Sequence, residues 1–273
     1  MNLEATFGRS QPLVGMVHLD PLPGAPQFDG DREAIIENAR EDARALEDGG
    51  VDAVMVENFG DAPFYPDDVP KHVVASMTQA AGAVVDEVAL PVGINILRND
   101  AMADLAVAQA VGAEFMRVNI HTGARVADQG VIEGQAYQTM RERDRLGVDV
   151  NVFADHDVKH SAPIAAEDFT AESFADNVER GLADATVVSG MGTGHAVDGK
   201  ELQQAADRRE EFGLDVPLFV GSGVTADTVG EILQIADGVI VGTALKAGDA
   251  SGDPVSEVRT RELVEAADAV RQD

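Results

Sequence analysis

The stretch Pro217-Leu218-Phe219-Val220-Gly221-Ser222-Gly223-Val224-Thr225 decides how this chain is read. The apolar residues between Pro217 and Gly221 have the length and composition of a short buried strand. Two glycines then flank a serine, and Thr225 stands where a helix N-cap belongs. Glycines in such a turn let backbone N–H groups face outward, and a following helix would add its positive end. Together they cradle an anion. Further on, Gly238-Val239-Ile240-Val241-Gly242-Thr243-Ala244 repeats the order strand, glycine, hydroxyl. Two consecutive strands ending in such turns form the phosphate site of many (β/α)8 barrels, after strands 7 and 8. Six strand–helix units should therefore precede them.

Working backward, short apolar runs at 13–18, 53–57, 92–97, 114–120, 148–154 and 185–189 each lead into a loop and a helical pattern. The first helix, 31–48, has Ile35, Ile36, Ala39, Ala43 and Leu46 at helical spacing and ends at Gly49-Gly50. The loops after the strands are long (19–30, 58–70, 121–133, 155–169, 190–199). Those before them are short, as at Gly49-Gly50, Gly112-Ala113 and Ala183-Asp184. That asymmetry places the working face at the C-terminal ends of the strands. The fold class read from this is α/β, a single closed TIM barrel over residues 1–273, with 1–10 and the last few residues frayed. A doubly wound open sheet is the alternative.

Composition limits the function. The chain has 273 residues and 45% hydrophobic content, enough for one barrel core. It has no cysteine, which removes disulfides and thiolate chemistry. Its 49 acidic and 20 basic residues give a net charge of −29. The carboxylates are spread over every helical segment rather than gathered in a tail, which reads as adaptation to a cytosol of molar salt. Nucleic acid and anionic membrane are excluded as partners. No apolar run approaches the roughly 20 residues of a membrane span, and Met1–Ser10 does not read as a leader. A cytoplasmic protein is expected, and a homo-oligomer.

Side chains alternate along a strand, so polar residues within apolar runs can be sorted by face. Arg117, Asn119 and His121 share one face of the fourth strand; Asn151, Phe153, Asp155, Asp157 and Lys159 share one face of the fifth. The helix-facing side must be apolar, so these rows point inward and toward the mouth. Low in their strands, Arg117 and Asn151 read as partners satisfied inside the barrel. Glu57, Asn95, Asn119 and Asp155, near the top, read as functional. His18 and His121, at strand tips, are acid–base candidates. Lys159 is a candidate for a Schiff base or an anion contact. Asp155, His156, Asp157 and His160 with Glu57 could hold a divalent metal, although their spacing is not that of a tight ligand set, and no cofactor is assigned. The loops 22–30 and 59–70, with Phe28, Phe59, Phe64 and Tyr65, read as covers over the mouth. Gly190-Met191-Gly192-Thr193-Gly194 has its third glycine misplaced for a dinucleotide loop.

At greater length, Val14-Gly15-Met16-Val17-His18-Leu19, Val56-Glu57-Asn58-Phe59-Gly60-Asp61-Ala62-Pro63-Phe64 and Asn95-Ile96-Leu97-Arg98-Asn99-Asp100 resemble the BtpA family of barrels. The resemblance continues through His121-Thr122-Gly123, Val158-Lys159-His160 and Val241-Gly242-Thr243-Ala244-Leu245-Lys246 and covers nearly the whole chain. Asp157 departs from it, since the family often has histidine there. The resemblance implies a barrel of the ribulose-phosphate-binding type. Its members are described as photosystem I assembly proteins or as relatives of phosphoribosylanthranilate isomerase. The photosystem role is not carried over.

The expected function is that of an enzyme acting on a phosphorylated or ribosyl small molecule. Gly221, Ser222, Gly223, Gly242 and Thr243 would hold phosphate. Glu57 and Asp155 would serve as acid or base, aided by His18, His121 and Lys159, while Asn58, Asn95, Asn119 and His160 would bind substrate. Sugar-phosphate isomerisation or lyase chemistry leads; ribosyl phosphorolysis with bound inorganic phosphate is the alternative. A non-catalytic assembly factor is the reading of another class.

Overall fold

The computed structural model describes residues 1–164, 170–189 and 199–271. The strands are β1 (Leu13–His18), β2 (Ala53–Glu57), β3 (Val92–Asn95), β4 (Phe115–Val118), β5 (Ala124–Ala127) and β6 (Gly130–Glu133). They continue as β7 (Asn151–His156), β8 (Ser161–Pro163), β9 (Ala185–Val188), β10 (Leu218–Val220) and β11 (Gly238–Val241). The helices are α1 (Leu3–Phe7), α2 (Arg32–Gly49), α3 (Lys71–Glu87), α4 (Ala101–Val111), α5 (Ala136–Leu146) and α6 (Thr170–Glu179). After them come α7 (Gly199–Glu211), α8 (Val229–Ile232) and α9 (Glu257–Asp268).

Eight strands form a closed parallel barrel in the order β1-β2-β3-β4-β7-β9-β10-β11, with β11 pairing back onto β1. The chain is thus a (β/α)8 TIM barrel. Alternation along the strands divides the core. Val17, Val54, Val56, Ile94, Met116, Val118 and Val152 face outward and pack with Ile35, Leu46, Met77 and Leu105 of the helices. Met16, Met55, Phe115, Phe153, Val187, Phe219 and Ile240 fill the interior. Two glycines make room for the large interior rings. A Cβ on Gly93 would stand 2.3 Å from the Phe115 ring, and one on Gly238 would stand 2.4 Å from the Phe219 ring.

The N-terminal end departs from expectation. Residues 1–10 are not frayed: Asn2 caps α1, and Phe7 is buried inside the barrel's N-terminal end. Its ring lies edge-on to Phe115, Phe153 and Phe219 at centroid distances of 5.4, 6.3 and 6.4 Å. Burying that ring is reason enough for order. Arg271, near the other end, is ion-paired to Asp52 at 3.0 Å, and residues 272–273 lie outside the described residues.

The loops also differ. Residues 121–133 and 155–169 were expected to lack strands. Instead β5, β6 and β8 form a separate antiparallel sheet in the order β6-β5-β8. The fifth barrel strand starts at Asn151 rather than 148, where its register with Phe115 of β4 begins, and runs past Ala154 because its pairing with β9 continues through Asp155↔Val187 and His156↔Val188. After β10 no helix begins at Thr225. Its backbone N–H and hydroxyl both engage Thr228 Oγ1, and α8 is only the short segment from Val229 to Ile232.

Candidate active site

Register alone brings the first polar row together. His18 pairs with Glu57 across β1 and β2, and Glu57 pairs with Asn95 across β2 and β3. These residues end their strands at the C-terminal mouth, beside a cavity of 220 Å³. Its lining joins His18, Glu57, Arg117 and Lys159 to the turns Gly221–Thr225 and Gly242–Ala244 and to Arg259. The two glycine turns thus share one space with His18, Glu57 and Lys159, but not with Asp155 or His121.

Close approach explains the glycines. Gly223 has φ +70°, open to glycine and strained for other residues. A Cβ at Gly221 would stand 2.7 Å from Val187 Cγ1, and one at Gly242 would stand 2.9 Å from the His18 ring. The expected helix end is absent from this cradle, since α8 starts at Val229. The Gly221 N–H is spent on the Val188 carbonyl at 2.9 Å, and the cations Arg117, Lys159 and Arg259 line the same cavity.

Glu57 and Asp155 are both buried, yet their surroundings differ. Asp155 accepts Arg117 Nε at 2.8 Å and Nη2 at 3.0 Å, and Asn119 Nδ2 at 2.9 Å. It does not line the cavity. Its carboxylate anchors Arg117, which also reaches Ser189 Oγ at 3.3 Å. Asp155 itself holds Arg117 protonated against the cost of burial. The Glu57 carboxyl accepts no hydrogen bond among the described residues, and the His18 ring stands beside it, with Nε2–Oε2 at 3.6 Å. Burial pushes its carboxyl up, opposed by the charges of Lys159, Arg117 and Arg98. Burial likewise lowers Lys159, opposed by Glu57.

His18 is neutral: burial, helped by the charge of Lys246, lowers its pKa to about 3. Its Nδ1 lies 2.8 Å from the Ser251 carbonyl, and its ring stacks on Phe59 at 4.6 Å. Of the aromatic residues in the two expected cover loops, Phe59 alone reaches the site in this way. Phe28 packs against the outer core, and Phe64 and Tyr65 line a separate cavity with His72.

Other expected residues fall elsewhere. His121 is buried outside the mouth, its Nε2 donating to the Gly181 carbonyl at 2.8 Å, and it lines the groove between α5 and α6. β4 ends at Val118, so the alternation that pointed His121 inward stops before reaching it. His160 is exposed on a turn with φ +59°. Asn58 is consumed structurally: Oδ1 accepts Leu97 N–H at 2.7 Å and Nδ2 donates to Asp61 at 3.1 Å. Asn95 donates to the Arg117 carbonyl at 2.9 Å. The Oδ1 atoms of both Asn95 and Asn119 are buried without a partner among the described residues. Among the described residues no three His, Asp or Glu side chains gather as a metal site. His156 turns to Arg208 at 3.1 Å and Asp157 to Arg125 at 2.5 Å. Gly190–Gly194 lies outside the described residues.

Sequence reasoning passed over Arg98, Ser251 and Arg259. Arg98 donates to the Lys159 carbonyl at 2.6 Å. Arg259 holds the carbonyls of Lys246 at 2.7 Å and Gly248 at 2.8 Å. An arginine on an amphipathic helix and a serine in a Gly/Asp-rich loop carry no local signal of a site.

A closed barrel with glycine turns after its last two strands and polar side chains at the same mouth has the architecture of the TIM-barrel enzymes. The BtpA family model matches residues 9–269, and the chain belongs to that family. An uncharacterized protein of Thermococcus kodakarensis is 48% identical over 262 residues, covering 96% of this chain and 97% of its own. The photosystem I biogenesis protein BtpA of Synechocystis is 41% identical over 266 residues, covering 97% and 91%. Among solved structures, N-(5'-phosphoribosyl)anthranilate isomerase of Pyrococcus furiosus superposes with a TM-score of 0.57 at 13% identity, covering 95% of this chain and 100% of that one. At that identity the likeness is one of fold.

Proposed function

We propose that the protein is an enzyme acting on a phosphorylated or ribosyl small molecule, with Glu57 as its acid–base group. The observation that carries this reading is Glu57 itself. It is a buried carboxyl with a raised pKa and no hydrogen-bond partner among the described residues, in one cavity with the Gly221–Gly223 and Gly242-Thr243 turns. A scaffold has no use for a carboxyl kept buried without a partner, since the isolation costs stability. This weighs against a non-catalytic assembly factor.

Proton abstraction from a sugar phosphate, as in isomerases and lyases, fits these groups best. The phosphate would sit on the two glycine turns, and Glu57 would take the proton from carbon. Lys159 would face the negative charge that develops on the neighbouring oxygen. Asp155 serves as the anchor that aims Arg117. A second reading, ribosyl phosphorolysis, is favoured by the free carboxyl at the mouth. Glu57 suits the hydroxyls of a ribose, and the same cradle would hold phosphate as nucleophile.

The two chemistries separate in one assay. The protein, in molar KCl, is offered pentose phosphates without phosphate and ribonucleosides with it. Interconversion or cleavage of the first supports proton abstraction; phosphate-dependent release of a base supports phosphorolysis. No turnover of either, with no rise in melting temperature at millimolar phosphate, would end the reading.

A further inference from the structure

The loop after β11 touches both halves of the site at once. Ser251, itself buried, makes two contacts there. Its carbonyl lies 2.8 Å from His18 Nδ1, and its hydroxyl lies 2.7 Å from Thr243 Oγ1 in the second glycine turn. The loop is held in place by further bonds. Arg259 grips the Lys246 and Gly248 carbonyls, the Ala250 N–H donates to Asp253 Oδ2 at 2.9 Å, and Ala247 N–H donates to the Pro254 carbonyl at 2.7 Å. The His18 ring is confined as well, stacked on Phe59 and so near Gly242 that a Cβ there would stand 2.9 Å from it.

A carbonyl oxygen only accepts, so Nδ1 of His18 must carry the hydrogen. In the neutral ring Nε2 is then bare, and it faces Glu57 Oε2 across 3.6 Å, too far for a direct hydrogen bond. Two acceptors thus look at each other across a gap. A hydroxyl donor placed between them would satisfy one and approach the other.

We propose that Ser251 and Thr243 together lock His18 in its Nδ1–H form, so that the site selects an organic phosphate bearing a hydroxyl that donates to Nε2 beside Glu57. The selectivity half of this rests on the phosphate reading of the glycine turns; the lock does not. When an anion on the turn accepts the Thr243 hydroxyl proton, Thr243 Oγ1 must accept from Ser251. The hydroxyl pair then has one direction instead of two, and His18 is held more firmly when the turn is filled.

Long-range proton–nitrogen spectra of the histidine rings test this on the ¹⁵N-labelled full chain without substrate, with His18 assigned by its loss in His18→Gln. The expected pattern at neutral pH is a protonated Nδ1 and a bare Nε2. A hydrogen on Nε2, or a charged ring, overturns the proposal. Thr243→Val removes the hydroxyl pair, so the ratio of the two forms should fall about fivefold, the worth of one hydrogen bond. Thr243→Ser should restore it. An unchanged ratio in Thr243→Val overturns the role given to the hydroxyl pair. Melting of the same samples with inorganic phosphate reports separately on the turns. A missing shift there sinks the phosphate reading and with it the selectivity, while the ring spectra still decide the lock.

Discussion

Glu57 and Asp155 are carboxyls of equal depth whose company assigns them different tasks, and amide replacements should separate them. Asp155→Asn leaves Arg117 buried without its counter-charge, a change that costs about 3–5 kcal/mol. The loss of folded protein should be the larger effect, with a smaller fall in the activity of what remains folded because Arg117 is no longer aimed. Glu57→Gln breaks no ion pair that holds the barrel and should cut turnover by ~10²-fold or more while phosphate still binds. Its pH dependence has a definite sign. A carboxyl raised in the folded state binds more protons there than in the unfolded chain, so stability declines as pH rises from its unfolded value through its folded one. The penalty is full above that window and absent below it. Glu57→Gln should therefore melt higher than the parent at neutral pH, with the gain vanishing toward pH ~4. Full turnover in a stable Glu57→Gln protein would refute its role. Alternation along the strands sufficed to turn Arg117, Asn119 and Asp155 inward from sequence. It could not tell that they would bind one another, because that depends on side-chain reach across β4 and β7. It failed for His121, where nothing in the residues marks the end of the strand at Val118.

At the scale of elements, the eight barrel strands were legible because each is a short apolar run closed by glycine or polar residues. The additions to the barrel were not. The hairpin of β5 and β6 is half exposed, so its apolar signal is weak; its turn chemistry, Asp128-Gln129-Gly130 with Gly130 at φ +104°, was the available clue. α1 was passed over because five residues preceded by a polar start look dispensable. Its worth lies in Phe7, whose partners Phe115, Phe153 and Phe219 come from three distant strands. Phe7→Ala would empty the space among those rings, and such truncations typically cost 3–5 kcal/mol. The expected result is a markedly lower urea midpoint with an unchanged slope. Removing residues 1–8 should do the same. An unaltered midpoint in both variants would show that the barrel closes without its plug.

For the whole molecule, charge is the dominant fact. A net charge of −29 means that most carboxylates have no cation to pair with, and the helices show where they go. Glu33, Glu37, Glu41 and Asp48 lie exposed on α2, as do Glu257, Glu262, Glu265 and Asp268 on α9. In dilute buffer such charges repel one another over tens of ångströms. At 0.1 M salt the screening length is about 10 Å, and at 1 M about 3 Å, shorter than most separations on one surface. The repulsion is relieved on unfolding, so its removal by salt should stabilise the fold. The buried pairs behave differently. Arg117 with Asp155, and Lys246 with Asp42 at 2.8 Å, lie away from solvent and are screened little. Added KCl should therefore raise the urea midpoint steeply up to about 1 M and then level off, without loosening the ion pair beneath the mouth. KCl also competes with phosphate for cations, so the phosphate-induced melting shift should be compared at one fixed salt concentration. The same midpoint in dilute buffer and in molar KCl would mean that surface repulsion is offset locally, and the reading of a protein built for molar salt would fall.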